Sequence, residues 1–254
     1  MRKKAKGVVP IRTSGVLLPI SSLPSPYGIG NLGKESFNFI DFLKDAGQTY
    51  WQILPIGQTG CGDSPYQSFS AFAANPYFID HEQLVQDGLL KREELGQFRF
   101  GDNPDKIDYG ALYSSRFKML HIATGRFPEG DSGFRRFKES SSEWLEDYAL
   151  FMALKAENGM GSFQKWPDEI RLRKPEAMGK ARKRLAHEVM FWEKCQYFFS
   201  VQWKKFRQYA YNKGIFIIGD LPIYVSPDSA DLWAHPELFQ TDGNGRLTEV
   251  AGCP

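Results

Sequence analysis

No apolar run in this 254-residue chain approaches the roughly twenty residues a membrane-spanning helix needs. The apolar stretch behind the basic start, residues 15–20, is short and contains Pro19, so the beginning of the chain predicts neither a signal peptide nor a membrane span. Cysteine is scarce. Cys61, Cys195 and Cys253 are odd in number and far apart, and no CxxC occurs, which predicts a reduced, cytoplasmic compartment. The four histidines, His81, His121, His187 and His235, show no metal-ligand spacing, and ordinary surface or partly buried roles are expected for them. Neither sign of charge dominates. Thirty-two Lys and Arg against thirty Asp and Glu leave a net charge of +2, so no electrostatic case exists for nucleic acid or an anionic membrane. The basic runs are residues 2–6, read as a solvated terminus, and residues 180–184, read as an exposed helix face. Internal repeats and low-complexity tracts are lacking.

Aromatic side chains, in contrast, are abundant: six Trp, eleven Tyr and twenty Phe make up 15% of the chain. Much of this must be core, and 42% hydrophobic content suffices for one. Some aromatics, however, lie in Gly/Pro-rich loops, where core packing explains them less well. Loop aromatics suit stacking against the apolar faces of sugars or bases, and without a basic surplus sugars are the better candidate.

The chain is organised around residues 213–225, KGIFIIGDLPIYV. Residues 215–219 form a β-branched apolar run that predicts a strand buried on both faces of a parallel sheet. Asp220 follows at its carboxyl end, where parallel α/β folds place their chemistry, and Pro222 stops further pairing. This stretch alone leaves two roles open for Asp220, a site residue or the cap of the next turn. Earlier in the chain, residues 15–20 predict a first buried strand, residues 34–46 a helix stopped by Gly47, and residues 50–54 a second strand, the pattern of a βαβ unit. A long loop, residues 57–76, GQTGCGDSPYQSFSAFAANP, follows the second strand; Tyr66, Phe69, Phe72 and Tyr77 argue for its packing, and Asp63 and Ser64 suit a turn before Pro65.

Helices are predicted over residues 84–95, 109–122, 144–157 and 184–212, with a break at 127–133 and a polar connector at 166–175. The broad aromatic face of the last helix, Val189, Phe191, Trp192, Cys195, Phe198, Phe199, Val201 and Phe206, is read as core. About 160 residues, mostly helical, thus separate strands two and three, an insertion into a parallel α/β scaffold. A loop and short helix at 226–237 and a turn at Asp242-Gly243-Asn244-Gly245 follow. Only three barrel-type strands are predicted, where a closed parallel barrel needs eight.

Three stretches then match one family: residues 14–30, SGVLLPISSLPSPYGIG; residues 62–80, GDSPYQSFSAFAANPYFID; and residues 219–239, GDLPIYVSPDSADLWAHPELF. With WQILP at 51–55, they resemble the 4-α-glucanotransferases called amylomaltase or disproportionating enzyme, glycoside hydrolase family seventy-seven. The resemblance implies a (β/α)8 barrel of the α-amylase clan with helical insertions: residues 1–79 begin the barrel, 80–185 form an inserted helical subdomain, and 186–254 return to the barrel. It implies transfer of α-1,4-glucan segments from a donor to the 4-hydroxyl of an acceptor by a retaining double displacement, on maltooligosaccharides and related glucans, with no cofactor and no metal. By the same resemblance Tyr66 stacks on the sugar beside the scissile bond, Asp220 binds that sugar's hydroxyls, and Ser64 is a weaker substrate contact. The family's nucleophile and acid/base belong to later strands, beyond Pro254. No catalytic residue is therefore expected in this chain, and Asp63, Asp228 and Asp231 are read as caps. The expectation is an N-terminal portion of such an enzyme, inactive alone; the alternative is an inactive glucan-binding fragment. A hydrolase of the same clan is disfavoured by the DSPYQSFSAFA motif.

Overall fold

The structure is a computed structural model that describes residues 12–60, 62–103 and 105–249. Cys61, Cys253 and the basic run at 2–6 lie outside the described residues. The chain order is β1 (Gly15–Leu17), α1 (Lys34–Asp45), β2 (Tyr50–Gln52), α2 (His81–Gln86), α3 (Arg92–Leu95), α4 (Tyr109–Arg126), α5 (Ser132–Ser140), α6 (Leu145–Glu157), α7 (Asp168–Arg171), α8 (Pro175–Arg184), α9 (Ala186–Lys213), β3 (Phe216–Ile218) and α10 (Ala230–Ala234). The three strands form one parallel sheet in the order β1-β2-β3, with Val16, Trp51 and Ile217 in register.

Alternation along the strands sends that register row to the helices. Trp51 is fully buried there, its ring 4.7 Å from Phe39 of α1 and 5.5 Å from Phe206 of α9, and its indole N–H donates to the Leu18 carbonyl at 2.8 Å. The opposite row is not covered: Leu17, Phe216 and Ile218 are 55%, 48% and 43% exposed. The expectation of strands buried on both faces is therefore corrected to one covered face. Pairing also ends sooner than predicted. After Pro19 the chain turns into a short 3-10 segment, Ile20–Ser22.

The long aromatic helix is present as α9, and Gly214 closes it in the left-handed conformation (φ 76°) that a residue without Cβ adopts freely. Phe191, Trp192, Cys195, Phe198, Phe199 and Phe206 are buried as expected, while Val201 faces out. Burial also pushes the Cys195 thiol well up, which keeps it protonated and inert. The helix predicted over 84–95 is split in two, because Gly88 takes a left-handed turn (φ 73°) between α2 and α3. Sequence periodicity missed α5, α7 and α8. The first is capped by Asp131, whose carboxylate accepts the Phe134 N–H at 2.7 Å, and the last opens on Pro175, which needs no N–H partner there. The basic run at 180–184 lies on exposed α8, where Arg182 and Arg184 pair with Glu146 and Glu157 at 2.7 and 2.8 Å.

Residues 73–80 contain almost no regular structure yet are largely buried, so their backbone groups need partners from elsewhere. Helix α9 supplies two. Gln196 accepts the Ala74 N–H and donates to the Ala74 carbonyl, both at 2.9 Å, and Gln202 does the same for Asp80 at 2.7 and 3.1 Å. From α4, buried Arg116 donates to the Tyr77 and Ile79 carbonyls. His81 departs from its expected surface or partly buried role. It is wholly buried against Tyr27, ring centroids 5.3 Å apart, and burial beside the Arg116 charge holds its pKa well below the usual value, so the imidazole is neutral.

Gln196→Leu keeps the volume but orphans the buried N–H and carbonyl of Ala74. It is expected to destabilise the chain by about 2–6 kcal/mol, at ~1–3 for each orphaned group, read as a lower urea midpoint with an unchanged m-value.

Candidate functional site

The site forms where two loops meet at the carboxyl ends of neighbouring strands. Strand β3 ends at Ile218 and delivers Asp220 to the rim. The loop after β2 brings Tyr66 across to it. Across 154 positions of sequence, the Tyr66 hydroxyl donates to Asp220 Oδ2 at 2.6 Å. The expected pair is thus brought together, and Asp220 is not the cap of the following turn.

Backbone ties hold the same two loops side by side. Ala230 N–H donates to the Phe69 carbonyl at 2.8 Å, and Ala71 N–H donates to Asp231 Oδ2 at 2.9 Å. Asp231 is therefore a long-range tie; the cap of α10 is Ser229, whose Oγ accepts the Leu232 N–H at 3.2 Å. Asp228 is not a local cap either. Its Oδ2 receives Lys155 Nζ of α6 at 2.7 Å, and its Oδ1 accepts the Phe163 N–H at 3.1 Å. Asp63 sits in a left-handed turn (φ 55°), in keeping with its expected turn role.

Tyr66 and Asp220 stand at one side of an open groove of about 670 Å³, also lined by Leu221, Ile223, Tyr224 and Phe239. Leu221 and Ile223 are 83% and 90% exposed, and Tyr66 is 44% exposed. The Asp220 carboxylate and the Tyr66 phenol are thus set beside apolar and aromatic side chains, with Tyr224 and Glu249 also on the lining, the composition of a site that grips hydroxyls and stacks on rings. Ser64 does not line this groove. Its Oγ accepts the Tyr66 N–H at 3.3 Å and so shapes the turn that presents Tyr66. Of the loop aromatics, Phe69 and Tyr77 are buried, whereas Phe72 is exposed and stacks on Trp144 at 6.3 Å. Among the described residues no group of three or more His, Cys, Asp or Glu is placed to hold a metal ion, and no helix is long and apolar enough to cross a membrane.

Sequence reasoning missed Lys155. It is fully buried, with its ammonium 4.8 Å from the Phe69 ring centroid and 5.5 Å from that of Phe151. The available signal was its place in LFMALKAE, on the same helical face as Phe151 and Tyr148.

Comparison with known proteins agrees with this geometry. The sequence model of a family described as 4-alpha-glucanotransferase matches residues 18–254. The chain is 47% identical over 246 residues to a 4-alpha-glucanotransferase of Streptococcus pneumoniae, covering 96% of this chain and 49% of that protein. It is 48% identical over 248 residues to a 4-alpha-glucanotransferase of Thermus thermophilus, with the same coverage. Among solved structures, an amylomaltase from Streptococcus agalactiae in complex with acarbose superposes with a TM-score of 0.91 at 41% identity, over 96% of this chain and 50% of that one. The chain spans about half the length of the curated relatives it matches. Its parallel sheet and helices are accordingly part of an α/β barrel, the fold class expected.

The hydrogen bond to Asp220, with burial and the nearby negative charge adding to it, raises the Tyr66 phenol above its usual value of 10.0. The sign follows from charge, since ionising Tyr66 sets two anions side by side. The bond is intact below pH 10 and is lost as pH rises through the raised value. In a spectrophotometric titration, the phenol absent from Tyr66→Phe should ionise above the tyrosine norm, and Asp220→Asn should return it toward that norm.

Proposed function

This chain belongs to the 4-α-glucanotransferases of glycoside hydrolase family seventy-seven, and from that premise we propose that it supplies the sugar-gripping side of a transferase site for α-1,4-glucans. The observation that carries the reading is the Tyr66–Asp220 pair at the strand ends, 2.6 Å apart within an apolar groove. Tyr66 offers one ring face to the apolar face of a glucose unit. Its hydroxyl occupies Asp220 Oδ2, so Oδ1 remains to accept a sugar hydroxyl. An ionised carboxylate accepts only, which suits a diol that must donate.

The reaction in this reading is a retaining double displacement. A carboxylate attacks the anomeric carbon, a carboxylic acid protonates the departing glucan oxygen, and an acceptor 4-hydroxyl displaces the enzyme carboxylate in the second step. Neither of those two roles is assigned to a residue of this chain. What the chain contributes is binding and the exclusion of water. Leu221, Ile223 and Tyr224 give the groove an apolar wall, and an acceptor that stacks there competes with solvent for the intermediate. Maltooligosaccharides and larger α-1,4-glucans are the partners of this site.

The complete gene product, given maltotriose, should release glucose and build a ladder of longer maltooligosaccharides. Products that are only shorter would overturn the transferase reading in favour of hydrolysis. In the complete gene product, Asp220→Asn should lower kcat/KM by about 10- to 100-fold, the ~1.5–3 kcal/mol typical of a hydrogen bond to a charged group.

A further inference from the structure

The two loops that carry Tyr66 and Asp220 also meet a second time, below the groove, at a single buried ammonium group. Lys155 reaches there from α6, in the helical segment, and its side chain is wholly buried. Its Nζ contacts Asp228 Oδ2 at 2.7 Å and donates to the Gly161 carbonyl at 3.0 Å. Asp228 belongs to the Asp220 loop. The Phe69 ring, 4.8 Å from Nζ, belongs to the Tyr66 loop. The Phe69 carbonyl in turn accepts the Ala230 N–H at 2.8 Å, a second connection between the two loops.

Magnitudes decide which contact sets the loop spacing. The Tyr66–Asp220 hydrogen bond is exposed to solvent and competes with water, so it follows the loops and does not fix them. The Lys155 ammonium cannot be hydrated where it sits and is held by a carboxylate, a carbonyl and two aromatic faces. Moving the Asp228 loop would pull the carboxylate away from a buried ammonium, and moving the Tyr66 loop would lift the Phe69 ring from it, each at a cost to a charge withdrawn from water. We propose that Lys155 is a positioning residue for the glucan site, fixing the distance between Tyr66 and Asp220 from the helical segment without touching the sugar. The inference rests on the glucan reading of the groove.

The test uses the complete gene product with maltotriose. Lys155→Met should lower kcat/KM by about 10-fold or more, because small misplacements of binding groups are costly in the transition state. The readout that a merely structural role would not move is the coupling with Asp220. In the Asp220→Asn background the further loss caused by Lys155→Met should shrink to less than about 3-fold, since the group being positioned is already gone. If Lys155→Met does not melt cooperatively, Asp228→Asn, nearly equal in volume, takes its place with the same two expectations. A folded variant of either kind with wild-type kcat/KM, or with a loss that multiplies in full onto that of Asp220→Asn, overturns the positioning role while the glucan reading stands. A wild-type protein that builds no longer glucans overturns that reading itself, and the inference falls with it.

Discussion

The ion pair between the buried Lys155 ammonium and the half-buried Asp228 carboxylate is the constraint on which the site geometry depends. Strand ends place two loops near each other, but parallel strands by themselves specify only where loops start. The ammonium specifies where they finish. Because it is withdrawn from water, its partners must be complete. They come from three places: α6 and the connection after it, at Phe151 and Gly161, the loop after β2 at Phe69, and the loop after β3 at Asp228. Replacing such a pair by apolar groups is often no loss to stability, so geometry is the better account of its presence here than energy.

A wider pattern surrounds it. The buried stretch at 73–80 is ordered by polar side chains projected from helices onto its backbone: Gln196 and Gln202 from α9, Arg116 from α4. Lys194 of α9 likewise donates to the Thr124 and Phe127 carbonyls at 2.9 and 3.1 Å. Each side chain substitutes for the ladder partner that a strand or helix would have given. The aromatic core makes this possible by burying the helices deeply enough to hold amides and charges in place. Phe69 shows both roles at once, with its ring in the core beneath the groove and its carbonyl tied to Ala230.

The strands, α1 and α9 were legible in the sequence because each leaves a local mark: a β-branched run, a glycine stop, an aromatic helical face; Tyr66 and Asp220 were singled out by motif, but the bond between them was not foreseen. The open face of the sheet was not legible. Hydrophobic runs such as FII state that a residue avoids water but not that another element within these residues covers it, and Phe216 and Ile218 remain exposed. Of helix α8 only the exposed basic end at 180–184 was legible, because its face is mostly charged and its burial is limited to Ala177, Met178 and Ala181. The long-range roles of Asp228, Asp231 and Gln196 were beyond sequence reading for a further reason. An Asp or Gln near a turn looks the same whether it bonds its neighbour or a residue far along the chain. Only the fold tells the two apart.

The 154 positions between Tyr66 and Asp220 also order events in time. Bringing the ends of so long a flexible loop together has a closure cost that grows with the logarithm of its length, and a lone surface hydrogen bond recovers too little to drive it. Local helices form first, and the packing of α6 on α9 shortens the effective loop before the strands align. On these grounds the groove beside Tyr66 and Asp220 closes after the helical segment has packed, and how long it persists depends on helices that do not line it.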